Sequence, residues 1–166
     1  MCVLSKDDIR KLIVEKELIR GYVDLEVQLQ PNGFDCTLQK VFRIKGDCKV
    51  DFDNSERKLA EVEEIVFENW VFLQKGVYRV RLNEVLKIPN DLIAIAKPRS
   101  TLARSGVSLI TAVWDAGYEG RSEIGLVVHN ESGIWLKRNA RIVQLIFIKL
   151  CRGTESYKGI YLGENI

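Results

Sequence analysis

Three short polar clusters interrupt the apolar patterning of this chain, and their residue types suit an anionic, phosphorylated ligand. The first, Lys97-Pro98-Arg99-Ser100-Thr101-Leu102-Ala103-Arg104, holds an ammonium, two guanidinium groups and two hydroxyls within eight residues. Arginine grips phosphate oxygens as a bidentate fork, and hydroxyls with unpaired backbone N–H groups complete such a cradle. An exposed basic turn or helix start would have the same composition. The second, Trp114-Asp115-Ala116-Gly117-Tyr118-Glu119-Gly120, ends an apolar run with two glycines bracketing a tyrosine and a carboxylate three residues before it. Glycine permits a tight turn and close approach of backbone to ligand. The tyrosine can lie flat on a sugar or base, and Asp115 can act as general base or cation ligand. An ordinary β-turn begun by Asp, with Tyr packed outward, fits the same residues. The third, Arg141-Ile142-Val143-Gln144, sets an arginine and a glutamine in an apolar strand. Each unsatisfied buried donor there costs about 1–3 kcal/mol, so these side chains must meet a neighbouring loop or a ligand.

The remaining composition narrows the chemistry. The single histidine, His129, cannot supply a His-rich metal site, and Cys2, Cys36, Cys48 and Cys151 form no CxxC pair. The thiols read as reduced and structural, a disulfide being the lesser alternative. Zinc catalysis is disfavoured, which leaves carboxylates, Ser, Arg and a hard cation. Lys and Arg total 25 against 23 Asp and Glu, a net charge of +2, so no general field draws the protein onto nucleic acid or a membrane. The N-terminal stretch is charged throughout and lacks the apolar run of a signal peptide, and no later segment reaches transmembrane length, which implies a soluble, cytoplasmic protein. Its 166 residues fit one domain, 1–166, with 152–166 as a C-terminal tail.

The elements that must position these clusters are mostly strands. Ser5 followed by Asp8 predicts a capping box, and Ile9, Leu12, Ile13 and Leu18 recur at helical spacing, so one short amphipathic helix opens the chain. Val23, Leu25, Val27 and Leu29 then alternate with polar residues and predict a strand that breaks at Pro31-Asn32-Gly33. Further strand-like runs lie at Val41–Ile44, Lys49–Phe52, Glu64–Phe67, Val77–Leu82, Leu92–Ala96, Ser108–Ala112, Ile124–His129 and Arg141–Leu150. The acidic stretch Asp51–Glu64 reads as a solvated loop. Many short strands with one helix predict a mainly β chain, a distorted barrel or jelly roll. The final run is apolar on both faces and suits a sheet covered on both sides or one buried between subunits.

In order and together, these segments resemble the conserved motifs of the dUTPase/dCTP deaminase superfamily. Gln30-Pro31-Asn32-Gly33-Phe34-Asp35 is similar to its first motif, Pro98–Ala103 (PRSTLA) to the second, Trp114–Gly120 (WDAGYEG) to the third and Arg141–Leu145 (RIVQL) to the fourth. The resemblance implies a β-clip barrel assembled as a homotrimer, with active sites at subunit interfaces, that hydrolyses dUTP to dUMP and pyrophosphate. It implies that Arg99, Ser100 and Gln144 contact the triphosphate, with Thr101 and Arg104 beside them. Asp115 would align the attacking water, and Tyr118 would pack on the deoxyribose. Mg²⁺ would bridge the phosphates, no protein side chain being assigned as its direct ligand. The tail Tyr157–Gly163 is similar to the short deaminase-like tail, with Tyr157 and Lys158 meeting substrate, and departs from the glycine-rich arm of many dUTPases.

The deaminase branch carries a glutamate in the strand after the third motif. Counting back from Asn130 gives Val127 at that place, and counting forward from Gly120 gives Gly125, because the segment containing Arg121-Ser122 is two residues longer than the usual pattern. Glu123 is the nearby alternative. The diphosphatase is therefore the first expectation. A dCTP deaminase or bifunctional enzyme is the second, and a catalytically silent nucleotide binder the third.

Overall fold

In the computed structural model, which describes residues 2–166, a short strand β1 (Cys2–Val3) leads into helix α1 (Lys6–Lys16). The capping box forms as the sequence predicts. Ser5 Oγ accepts the Asp8 N–H at 3.3 Å, and the Asp8 carboxylate accepts the Ser5 N–H at 3.1 Å. The helix ends where Glu17 turns left-handed, and it buries Ile9 and Ile13 against the core. β2 (Ile19–Arg20) follows.

The strand expected over Val23–Leu29 is a correction. Leu25–Gln28 form a one-turn helix, α2, capped by the Asp24 carboxylate. The alternation is genuine in sequence, but Val23 and Val27 point to solvent. Gln28 turns inward, where Oε1 accepts the N–H groups of Val23 and Asp24 and Nε2 donates to the Asp35 carbonyl and to Glu84. A buried polar side chain with partners on both sides holds the turn that apolar periodicity alone would have extended. Only Leu29–Gln30 (β3) pairs as a strand.

The backbone of the fold is β4 (Gly33–Lys45), of which the sequence reading recognised only Val41–Ile44. Its first half pairs with β3 and with the last strand, β14 (Arg141–Lys149). After a register shift between Leu38 and Lys40, its second half pairs with β5 (Glu61–Ile65) and β7 (Gly76–Leu82). Such an irregularity bends a strand, and here it lets one strand serve two parts of a curled antiparallel sheet. β9 (Leu92–Pro98) and β1 extend the sheet from β14, while β12 (Glu123–Val128) and β10 (Val107–Ile110) extend it from β7. β6 (Trp70–Leu73) with β13 (Ile134–Lys137), and β8 (Val85–Lys87) with β2 and β11 (Glu119–Gly120), make two small sheets. Short strands β6, β8 and β13 lie outside the runs picked from sequence. The run Lys49–Phe52 forms only a bridge from Lys49 to Lys58, leaving Val50 and Phe52 exposed. All four cysteines are free, and the expectation that they are structural holds for Cys36 alone, the others being exposed.

Beside β4, Glu84 is fully buried. Its carboxylate accepts from Thr37 N–H at 2.9 Å, Thr37 Oγ1 at 2.7 Å and Gln28 Nε2 at 2.7 Å. Burial nevertheless pushes the Glu84 carboxyl above its ordinary range. A raised folded-state pKa contributes stability that is full below the unfolded value and declines as pH rises through the folded one. Glu84→Gln should remove that decline and, by turning an amide N–H toward a donor, cost about 1–3 kcal/mol. Urea unfolding across acid to neutral pH checks both, and an unchanged pH slope would rule out Glu84 as its source.

Candidate active site

β14 lies between β4 and β9, and its register sets Gln144 opposite Asp35 on one side and Lys97 on the other. Residues directly opposite in a sheet share a face, so these three side chains stand in one row. Arg99, leaving the end of β9, places Nε 2.9 Å from Asp35 Oδ2. Arg141 brings Nη1 to the same oxygen at 3.3 Å and also donates to the Val27 carbonyl. Burial raises the Asp35 carboxyl above its ordinary range, against the opposing pull of Arg99 and Arg141. One buried oxygen thus fixes two guanidinium groups that retain further N–H donors for an outside acceptor. Next in sequence, helix α3 (Ser100–Arg104) exposes Ser100, Thr101 and Arg104. No ion pair engages Lys97 or Arg104 among the described residues.

A cavity of about 550 Å³ opens on the other part of the curled sheet, lined among others by Arg79, Ile110, Asp115, Tyr118, Glu123 and Gly125. Trp114 is held by paired backbone bonds to Ala94, and the turn that follows closes with Tyr118 N–H on the Asp115 carbonyl. Gly117 has φ 79°, and a Cβ there would lie 2.5 Å from Ser156. Only glycine meets both conditions. Asp115 is exposed at the cavity wall, and Tyr118 is buried with its phenol held well above the usual tyrosine range, first by burial. On β12, Glu123, Gly125 and Val127 alternate on one face of the strand, and of these Glu123 and Gly125 line the cavity. Glu123 is clasped by Arg81 at 2.7 Å and Arg79 at 3.5 Å. Gly125 sits between Ile110 and Arg79 in register, and a Cβ on it would come 2.9 Å from Ile110 Cβ.

The structure therefore gathers Asp115, Tyr118 and Tyr157 in the cavity wall, whereas Arg99, Ser100, Thr101, Arg104 and Gln144 are not among its lining residues. Tyr157 packs edge-on to Tyr118 with ring centroids 5.9 Å apart. Lys158 is exposed and lines an adjoining, more open cavity with Asp115 and Arg152. Sequence reasoning missed Arg79, Arg81, Ser122 and Glu164. The period-two pattern of Val77–Leu82 could have put the two arginines on one face opposite Tyr78, Val80 and Leu82, but no local signal marks Glu164.

Residues 3–150 match the family described as dCTP deaminase-like. The probable deoxyuridine 5'-triphosphate nucleotidohydrolase of Archaeoglobus fulgidus is 64% identical over 166 residues, covering 100% of this chain and 99% of the relative. The deoxyuridine 5'-triphosphate nucleotidohydrolase of Methanocaldococcus jannaschii is 40% identical over 143 residues, covering 84% and 90%. Among solved structures, 2'-deoxycytidine 5'-triphosphate deaminase from Agrobacterium tumefaciens superposes with a TM-score of 0.69 at 26% identity. That superposition covers 87% of this chain but 47% of the deaminase chain.

Removing Arg99 tests the cationic cluster directly. Arg99→Ala should weaken inorganic pyrophosphate binding by about 1.5–3 kcal/mol, the usual worth of a charged hydrogen bond. Isothermal titration of wild type and variant measures this, and equal affinities would place the anion elsewhere.

Proposed function

The chain belongs to the dCTP deaminase-like family, and within it we propose that this protein is a dUTP diphosphatase, releasing dUMP and pyrophosphate. The observation that carries this choice is the cavity face of β12. Where a deaminase needs a free carboxylate beside the base, both sequence registers give residues without one, Gly125 and Val127, and Glu123 is tied to two arginines. Full-length relatives named for dUTP hydrolysis support the same reading. The deaminase-like family model and the deaminase superposition favour dCTP deamination as the second reading.

In the proposed reaction Asp115 accepts a proton from water as that water attacks the α-phosphorus in line, and pyrophosphate leaves. Arg99, Gln144 and the hydroxyls of Ser100 and Thr101 bind the phosphates, with Arg104 beside them. They stabilise charge as it builds on the leaving group, which is where such donors act most. Tyr118 presents its ring to the deoxyribose, and Tyr157 and Lys158 close the site from the tail. Mg²⁺ fits this donor set as a substrate-borne ion. Among the described residues no three acidic, His or Cys side chains converge, so phosphate oxygens and water would hold it, with exposed Asp115 as the nearby hard oxygen. When bound it neutralises phosphate charge.

The phosphate-binding group and the cavity are built on separate parts of one chain, and exposed Ile44, Val77, Ile110 and Val113 lie around the cavity. An apolar rim of this kind calls for a partner, and a homotrimer that joins the cavity of one subunit to the cationic cluster of the next accounts for both features. Free nucleotide as substrate and free cysteines fit a cytoplasmic setting, and no helix among the described residues is long and apolar enough to cross a membrane.

Asp115→Asn should retain dUTP binding and slow turnover by about 10²–10⁴. Hydrolysis at the wild-type rate would remove Asp115 from the reaction. Separate incubations with dUTP, dCTP, dTTP and UTP should give pyrophosphate and dUMP from dUTP alone, whereas ammonia from dCTP would establish the deaminase. Light scattering should return three times the chain mass, and a monomer would overturn the shared site.

A further inference from the structure

The segment Arg121-Ser122 and the C-terminal residues meet at the cavity. Arg121 N–H donates to the Glu164 carbonyl, Arg121 Nε to the Asn165 carbonyl at 3.2 Å, and Asn165 Nδ2 returns a bond to the Arg121 carbonyl at 3.0 Å. Gly163 N–H closes on the Glu119 carbonyl at 2.7 Å. This docking brings the Glu164 carboxylate into the cavity wall, where Oε1 accepts from Tyr118 Oη at 2.7 Å.

The proton order around Tyr118 follows from chemistry. An ionised carboxylate only accepts, so the Tyr118 hydroxyl donates its hydrogen bond to Glu164 while keeping its proton. Ser122 Oγ, 2.9 Å from Tyr118 Oη, must then donate to the phenol oxygen. Ser122 Oγ in turn accepts from Trp114 Nε1 at 2.7 Å. The chain Trp114→Ser122→Tyr118→Glu164 is directional, and Trp114, Tyr118 and Ser122 are all buried. Tyr157 supports the ring edge-on, and its N–H is bonded to the Ala116 carbonyl. Hydrogen bonds linked in one direction polarise and stiffen one another.

We propose that Ser122 and Glu164 are positioning residues that fix the Tyr118 ring, so that the C-terminal segment, folded back on its own chain, sets how strictly the pocket rejects a 2′-hydroxyl. The inference rests on the reading that this cavity takes a deoxynucleoside. With either residue removed, Tyr118 loses one of two restraints on its hydroxyl and can tilt away from the sugar. Ribonucleotide is then admitted.

The test measures kcat and KM for dUTP and UTP with wild type, Ser122→Ala, Glu164→Ala and Glu164→Gln. In parallel, nitration of Tyr118 by tetranitromethane is mapped by mass spectrometry. Ser122→Ala and Glu164→Ala should lower the dUTP/UTP ratio of kcat/KM by about tenfold, the upper end of the net worth of one ordinary hydrogen bond, chiefly through a lower KM for UTP. Both should expose Tyr118 to nitration. Glu164→Gln keeps an acceptor oxygen and should restore most of the ratio and of the protection. An unchanged ratio in Glu164→Ala, or a Tyr118 as protected as in wild type, overturns the proposal. Should wild type hydrolyse neither nucleotide, the deoxynucleoside reading fails on its own, and the nitration pattern still decides whether Ser122 and Glu164 hold Tyr118.

Discussion

A carboxylate taken out of water has to be met by donors, and two such groups organise the centre of this molecule. Asp35 on β4 collects Arg99, just past the end of β9, and Arg141 of β14 onto one oxygen. Glu84 collects Thr37 and Gln28. Leaving either unpaired would be strongly unfavourable in a buried setting. These pairings tie the segments that carry the donors to β4 and hold the two guanidinium groups in place. Preorganised charge of this kind needs little rearrangement when a polyanion binds.

The bend in β4 then separates two tasks. On one side lies the row Asp35, Gln144 and Lys97, where Asp35 holds the guanidinium donors of Arg99 and Arg141. On the other lies a cavity whose walls are largely apolar, with Asp115 at its rim and Tyr118 set into it. Under the proposed function, charge recognition and recognition of an uncharged sugar and base fall to different parts of one curled sheet. A nucleotide has the same division between a wet, charged end and a drier, flat one.

Much of this was readable along the chain because it is local. The capping box at Ser5 and Asp8, the glycine-bracketed turn around Tyr118 and the basic run after Lys97 each depend on residues a few positions apart. What sequence could not supply was partnership at a distance. Tyr118 and Glu164 are 46 residues apart, and Arg141 and Asp35 are 106 apart. Neither pairing leaves a trace in periodicity. The first half of β4 was missed for the same reason: Asp35 and Thr37 look like breaks in a strand until their remote partners are known. The misread segment Val23–Leu29 shows the converse, where a true alternation yielded to the inward-turned Gln28.

The position of β14 has a consequence for how the chain acquires this form. It is the last strand, yet it pairs with β1, β4 and β9. Until residues near Lys149 leave the ribosome, the first half of β4 has no sheet neighbour but β3, and Asp35 has no Arg141. Sheets assembled from such distant segments form slowly and stay open to wrong pairing meanwhile. During synthesis, then, β1, β9 and the first half of β4 keep an unmatched edge until β14 is made, while β5, β7, β10 and β12 can already pair.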